Sequence, residues 1–175
     1  MRWWVVLTLA VMACGPKPNT RPPPLKVPCS KACSIQFTVR IDPAFTTLER
    51  QQVWGGLTTW TRASHGVVCY EPQKIEPDDG YNLVIVRGET SDSLRPFHDN
   101  YSRMVALYHA SVIVIAVRQV VRGELDSVTA HEAGHALGFD HSSNPESIMH
   151  PITGNLVAGE IPLIDQRSFW SLRCK

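Results

Sequence analysis

The sequence predicts an α/β or α+β layered domain built on a mixed sheet, and three observations carry that expectation. Segments of two-residue apolar alternation and short unbroken apolar runs are interleaved with segments of helical periodicity. The resulting order is strand, helix, four strands, two helices, which packs as helices laid on a sheet. Of the 175 residues, 43% are hydrophobic and 19% charged, enough apolar material for one globular core.

The chain opens with MRWWVVLTLAVMAC, which differs in kind from the rest. Arg2 supplies a short positive region, and Trp3 to Ala13 form an apolar stretch well short of the roughly 20 residues a spanning helix needs. Val11-Met12-Ala13-Cys14 resembles a bacterial lipobox, with small Ala13 before the cysteine. Residues 1–13 are therefore expected to be a lipoprotein signal peptide, and Cys14 the lipidated first residue of the mature chain. An ordinary signal peptide cut nearby is the plainer alternative; either way the chain is expected to be exported. It would be lipid-anchored to a bacterial membrane or cell surface, otherwise secreted.

Residues 14–34 read as a proline-rich linker. GPKPNTRPPPLKVP, at 15–28, holds six prolines and almost no apolar periodicity, a stiff solvated spacer that cannot build a core. With Cys14 assigned to lipid, Cys29, Cys33, Cys69 and Cys174 remain. An even number in an exported domain suggests two disulfides, with three pairings open. The net charge of +1, without a block of like charges, gives no footprint for nucleic acid.

Residues 35–175 form the expected folded domain. Ile35 to Ile41 (IQFTVRI) alternates as a half-buried strand does. Asp42-Pro43 opens a helical stretch to about Ser64, with Leu48, Val53, Leu57 and Trp60 at compatible spacing and Pro43 in the first turn. Trp54 and Trp60, with Leu57 between them, indicate core packing. Val67 to Tyr70 is a short strand, EPDDG a turn, and Tyr81 to Val86 a strongly apolar strand. Arg87 to Ser102 is polar and irregular, a long loop. Met104 to Tyr108 and Val112 to Val117 are two more strands, the second so apolar that both of its faces should be covered. Leu125 to about Gly138 is helical, and a last amphipathic helix spans about Pro162 to Leu172.

The chemistry is concentrated in HEAGHALGFDH, residues 131–141. On a helix, positions i and i+4 lie about 40° apart, so His131 and His135 project from one face within reach of a single ion. Glu132 is placed to address a water on that ion without binding the ion itself. Gly138 tolerates the left-handed turn that ends a helix, letting the chain swing back to present His141. Three neutral imidazoles leave one tetrahedral position open, the layout of a catalytic site. A solvated or packed histidine helix is the bland alternative, and it does not account for the joint placement of these residues.

This string resembles the extended zinc-binding motif of metzincin metalloproteases. Ser147-Ile148-Met149-His150-Pro151 looks like that family's Met-turn, which would place Met149 beneath the zinc. Ala136-Leu137-Gly138 and Ser142 make the matrixin-like subfamily the nearest. The resemblance implies a mixed, mostly parallel five-stranded sheet with an antiparallel edge strand, an active-site helix, the Met-turn and a C-terminal helix. It implies a metalloendopeptidase with one catalytic Zn2+ held by His131, His135 and His141, and Glu132 as general base and acid. Asp165 fits the pattern as a buried hydrogen-bonding group. His150 and Pro151 would wall the pocket for the residue after the cut, His150 replacing a tyrosine common there. Val105, Ala106, Leu107 and Tyr108 would form the edge strand that pairs with an extended protein or peptide substrate.

Departures from the pattern limit the cofactors. His98, Asp99 and His109 lack the third histidine that a structural zinc would need before His131. Asp78 and Asp79 are explained by a turn, so structural Zn2+ or Ca2+ is not expected. The expected protein is monomeric, contacts the membrane only through lipid on Cys14, and binds no nucleic acid. Two other functions compete: a lipid-anchored zinc-containing binding module without turnover, and a hydrolase of cell-wall peptide crosslinks.

Overall fold

The computed structural model describes residues 34–72, 82–151 and 160–173. The leader, the linker, the EPDDG turn and Cys14, Cys29, Cys33 and Cys174 lie outside them. The elements are β1 (Ile35–Ile41), α1 (Thr47–Ala63), β2 (Val68–Pro72), β3 (Leu83–Gly88), β4 (Ala106–His109), β5 (Val112–Ala116), α2 (Leu125–Ala136) and α3 (Leu163–Arg173). The sheet runs β2-β1-β3-β5-β4. Its neighbours are parallel except for β4, which pairs antiparallel with β5 at the edge. This is the mixed, mostly parallel sheet expected from the sequence.

The two faces of the sheet are covered by different material. Val39, Leu83, Ile85, Ala106, Ile113 and Ile115 point into a large core shared with Val53, Leu57 and Trp60 of α1 and Leu125, Val128 and Ala133 of α2. On the other face Leu107, Val114 and Ala116 pack with Leu94 and Met104. β5 is thus apolar throughout because it is buried on both sides, as read from its sequence. Leu94 comes from the segment read as an irregular loop, and Met104 from the start of the strand predicted at Met104 to Tyr108. β3 in fact runs on to Gly88, and two 3-10 turns, Ser91–Leu94 and Tyr101–Arg103, lay an ordered cover over the second face. Leu94, Phe97 and Tyr101 are the large apolar or aromatic residues of that otherwise polar stretch, too few to mark it as an ordered element.

α1 begins later than Asp42-Pro43. The Asp42 carboxylate accepts the Ala44 N–H at 2.9 Å and the Arg87 N–H at 3.2 Å, which holds residues 42–45 as a turn. Thr46 then caps the helix. Its Oγ1 accepts the Glu49 N–H at 3.2 Å while Glu49 Oε2 accepts the Thr46 N–H at 2.7 Å, a capping box that the sequence carries as Thr-x-x-Glu. Arg87 donates to the same carboxylate at 3.2 Å from both Nε and Nη2, tying α1 to β3. The guanidinium holds Glu49 below its ordinary carboxylate range.

β4 also differs from expectation, spanning Ala106–His109 where Met104 to Tyr108 was predicted. The hairpin sets it: Ala110 and Ser111 have φ of 45° and 70°, and His109 faces Val112. Two consecutive left-handed residues give the turn whose twist matches the strands, although neither is glycine. Ser111→Gly is therefore expected to raise the unfolding free energy by about 0.5–1 kcal/mol, since left-handed backbone costs an L-residue about 1–2 kcal/mol. A urea titration reads this; an unchanged midpoint would mean the turn stores no such strain.

Candidate metal centre

α2 carries the first two histidines on one buried face, with His131 fully buried and His135 nearly so. The helix ends at Ala136, and Gly138, at φ 90°, makes the left-handed turn that no Cβ would favour. Its N–H bonds the His135 carbonyl at 2.9 Å, and the Phe139 N–H bonds the Gly134 carbonyl at 3.0 Å. The chain then returns His141 to the face it left. One ring nitrogen from each of His131, His135 and His141 lies within 4.8 Å of the other two.

Backbone carbonyls fix which nitrogens face inward. His131 Nδ1 lies 2.6 Å from the Ile148 carbonyl, and His135 Nδ1 lies 2.8 Å from that of Phe139. A carbonyl only accepts, so both Nδ1 atoms carry the proton and both Nε2 atoms present lone pairs. His135 Nε2 and His141 Nε2 are 3.2 Å apart. Ligand nitrogens about 2.0–2.1 Å from a tetrahedral ion are separated by about 3.3 Å, so the donor set fits such an ion. Burial pushes the His131 imidazole down to about 4, which keeps it in the neutral form a ligand needs. Glu132 is fully buried between these ligands in sequence.

The segment Ser147–Pro151 packs against the ligand helix and His131. Gly134 lets it approach: a Cβ there would stand 2.3 Å from Met149 Sδ, so Met149 lies against α2 between the ligand turns. The segment is held from α3. Asp165 Oδ1 accepts the Ser147 hydroxyl at 2.5 Å, and Oδ2 accepts the Ile148 N–H at 2.7 Å. Ser147 Oγ accepts the Met149 N–H at 3.0 Å, and the Met149 carbonyl accepts the Ser142 N–H at 2.9 Å, just after the third histidine. Burial raises Asp165 above its ordinary value, against the pull of these two donors.

The comparisons with known proteins agree with this geometry. Residues 58–167 match the family model for the peptidase family described as Matrixin, well over half of the chain. The chain belongs to the matrixin family. A 36-residue stretch is 53% identical to "Matrix metalloproteinase-B" of Caenorhabditis elegans, covering 21% of this chain and 7% of that protein. The chain thus spans only a small part of that relative's length.

In this matrixin domain the residues singled out from the sequence fall into two groups. The three histidines converge, Glu132 and Met149 are buried beside them, and Asp165 is the hydrogen-bonding anchor its pattern implied. The edge-strand group is displaced: Ala106, Leu107 and Tyr108 lie in β4, whereas Val105 immediately precedes it and joins the ladder through its carbonyl, which accepts the Ala116 N–H at 2.8 Å. His150 and Pro151 follow Met149 and are half-buried. His98, weighed for a second metal, accepts the Asn100 N–H at 2.9 Å through Nδ1. Cys69 is disulfide-bonded. The contributors that sequence reasoning missed are the Ile148 and Phe139 carbonyls. A backbone acceptor has no signature in residue type, so only the fold reveals it.

Proposed function

We propose that this matrixin is a zinc-dependent endopeptidase that hydrolyses peptide bonds in protein or peptide substrates. The observation that carries the reading is the convergence of three imidazoles, two of them fixed by carbonyls with Nε2 inward, beside the buried carboxylate of Glu132. Bound zinc would supply a Lewis acid for the scissile carbonyl and bring the pKa of a water down to roughly 7. Glu132 would be the group that accepts the proton released there and hands it to the departing amine. Its burial excludes competing solvent and keeps the proton between carboxylate and substrate.

Substrate alignment falls to β4. In an antiparallel pair, hydrogen-bonded and non-hydrogen-bonded residues alternate. Since Ala116 donates to Val105, the backbone groups of Ala106 and Tyr108 point away from β5, towards the sheet edge where an extended peptide would add as a strand. His150 and Pro151 wall the pocket on the leaving-group side. The domain is exported and held at a bacterial membrane or cell surface by lipid on Cys14, across the proline-rich spacer. No helix among the described residues is long and apolar enough to cross a membrane.

Metal removal tests the reading. Dialysis against a chelator is expected to abolish cleavage of a denatured protein substrate, and stoichiometric Zn2+ to restore it. Cleavage that persists in the metal-free protein would sink the proposal.

A further inference from the structure

Trp60 packs against the metal-binding segment at three separate points, which a residue that merely filled core volume would not need to do. It is completely buried on α1, more than 70 positions before the first ligand in sequence. Its indole Nε1 donates to the Ala130 carbonyl at 2.8 Å, one residue before His131. Its six-membered ring lies beneath Gly134, where a Cβ would come within 3.2 Å of Trp60 Cζ2, one residue before His135. Its ring plane stacks on Phe139 at 5.2 Å and 13°. The Phe139 carbonyl is the group that holds His135 Nδ1. Val53 and Leu57 are buried to the same degree on the same helix, but an aliphatic side chain offers neither a directional donor nor a flat stacking face.

We infer that Trp60 is a positioning residue of the metal centre: it aims His135 by fixing Phe139, and seats the ligand-bearing turns of α2 through the Ala130 carbonyl and Gly134. The inference rests on the metal-centre reading above. Outer partners of a ligating histidine set its ring orientation, and their loss typically weakens metal affinity about 10–100-fold. Trp60 acts one contact further out, through Phe139, so the lower end of that range, about tenfold, is expected.

The test is cobalt titration of the full chain, followed by visible absorption, which reports coordination geometry without any substrate. Trp60→Leu removes donor and stacking face together; it is expected to weaken Co2+ binding about tenfold and to lower and shift the absorption band. Trp60→Phe keeps a stacking face and lacks the N–H, and is expected to fall between Trp60→Leu and the parent, recovering part of the band while still binding Co2+ measurably more weakly than the parent. Leu94→Ala, in the core on the opposite face of the sheet, should lower stability and leave affinity and band as in the parent. Parental affinity and band in Trp60→Leu would overturn the inference, as would a Leu94→Ala change equal to that of Trp60→Leu. If Trp60→Leu does not fold, Trp60→Phe decides: a measurably weaker site supports the role, and a parental one overturns it. A parent that takes up no cobalt would sink the metal-centre reading itself, a result distinct from all of these.

Discussion

Glu132→Ala is expected to lower the rate of peptide cleavage by about 10²–10⁴-fold, the contribution of a positioned general base and acid, while the metal stays bound. The separation of those two effects is the point. The three-imidazole set converges without Glu132, so the ion does not depend on it. The carboxylate is fully buried and adjoins the first ligand in sequence, so the proposed function assigns it the proton transfer. Glu132→Gln preserves shape and hydrogen bonding but accepts no proton, and should be as inactive as the alanine variant. Turnover by both variants is read against metal content per chain. A variant that keeps parental turnover would mean the base has been misassigned. Loss of metal in step with activity would mean Glu132 holds the ion.

Much of this site was legible in the sequence because its ligands sit on one helix and the turn that follows it. The i, i+4 spacing of His131 and His135 and the left-handed residue at Gly138 are local facts, and local facts survive folding. The sheet was legible for a related reason: β5 is unbroken apolar sequence, and such a run fits a strand covered on both faces. Boundaries were less legible. The start of α1 depends on Asp42 bonding Arg87, 45 positions away, and the bounds of β4 depend on a hairpin turn made without glycine. Trp60 shows the deeper limit. Its helical spacing announces burial, but its contacts with Ala130, Gly134 and Phe139 exist only after α1 and α2 have packed.

Asp165→Ala is expected to cost about 2–4 kcal/mol of stability, because it strands two buried donors, the Ser147 hydroxyl and the Ile148 N–H. Its second effect reaches the metal. Ile148 offers its N–H to Asp165 and its carbonyl to His131, so releasing one end loosens the acceptor that orients the first ligand, and metal affinity should fall about 10-fold or more. Asp165→Asn should rescue most of both losses, since an amide oxygen can still accept from Ile148 while Ser147 turns its hydroxyl to accept from the amide. The asparagine variant also carries a pH signature. Burial holds Asp165 above its ordinary 3.8, so over the window just above that value the folded chain keeps a proton that the unfolded chain has released. The stability tied to that proton is fully present below 3.8 and is lost as pH rises through the raised value. Asparagine has no such proton, so its stability relative to the parent should improve as pH rises through the same window. Urea unfolding across that range, alongside metal affinity, checks both arms. An alanine variant that loses stability and binds metal as tightly as the parent would break the link from α3 through Ile148 to His131. A loss of both in alanine, with recovery in asparagine, would mean that this single carboxylate couples the last helix to the first ligand.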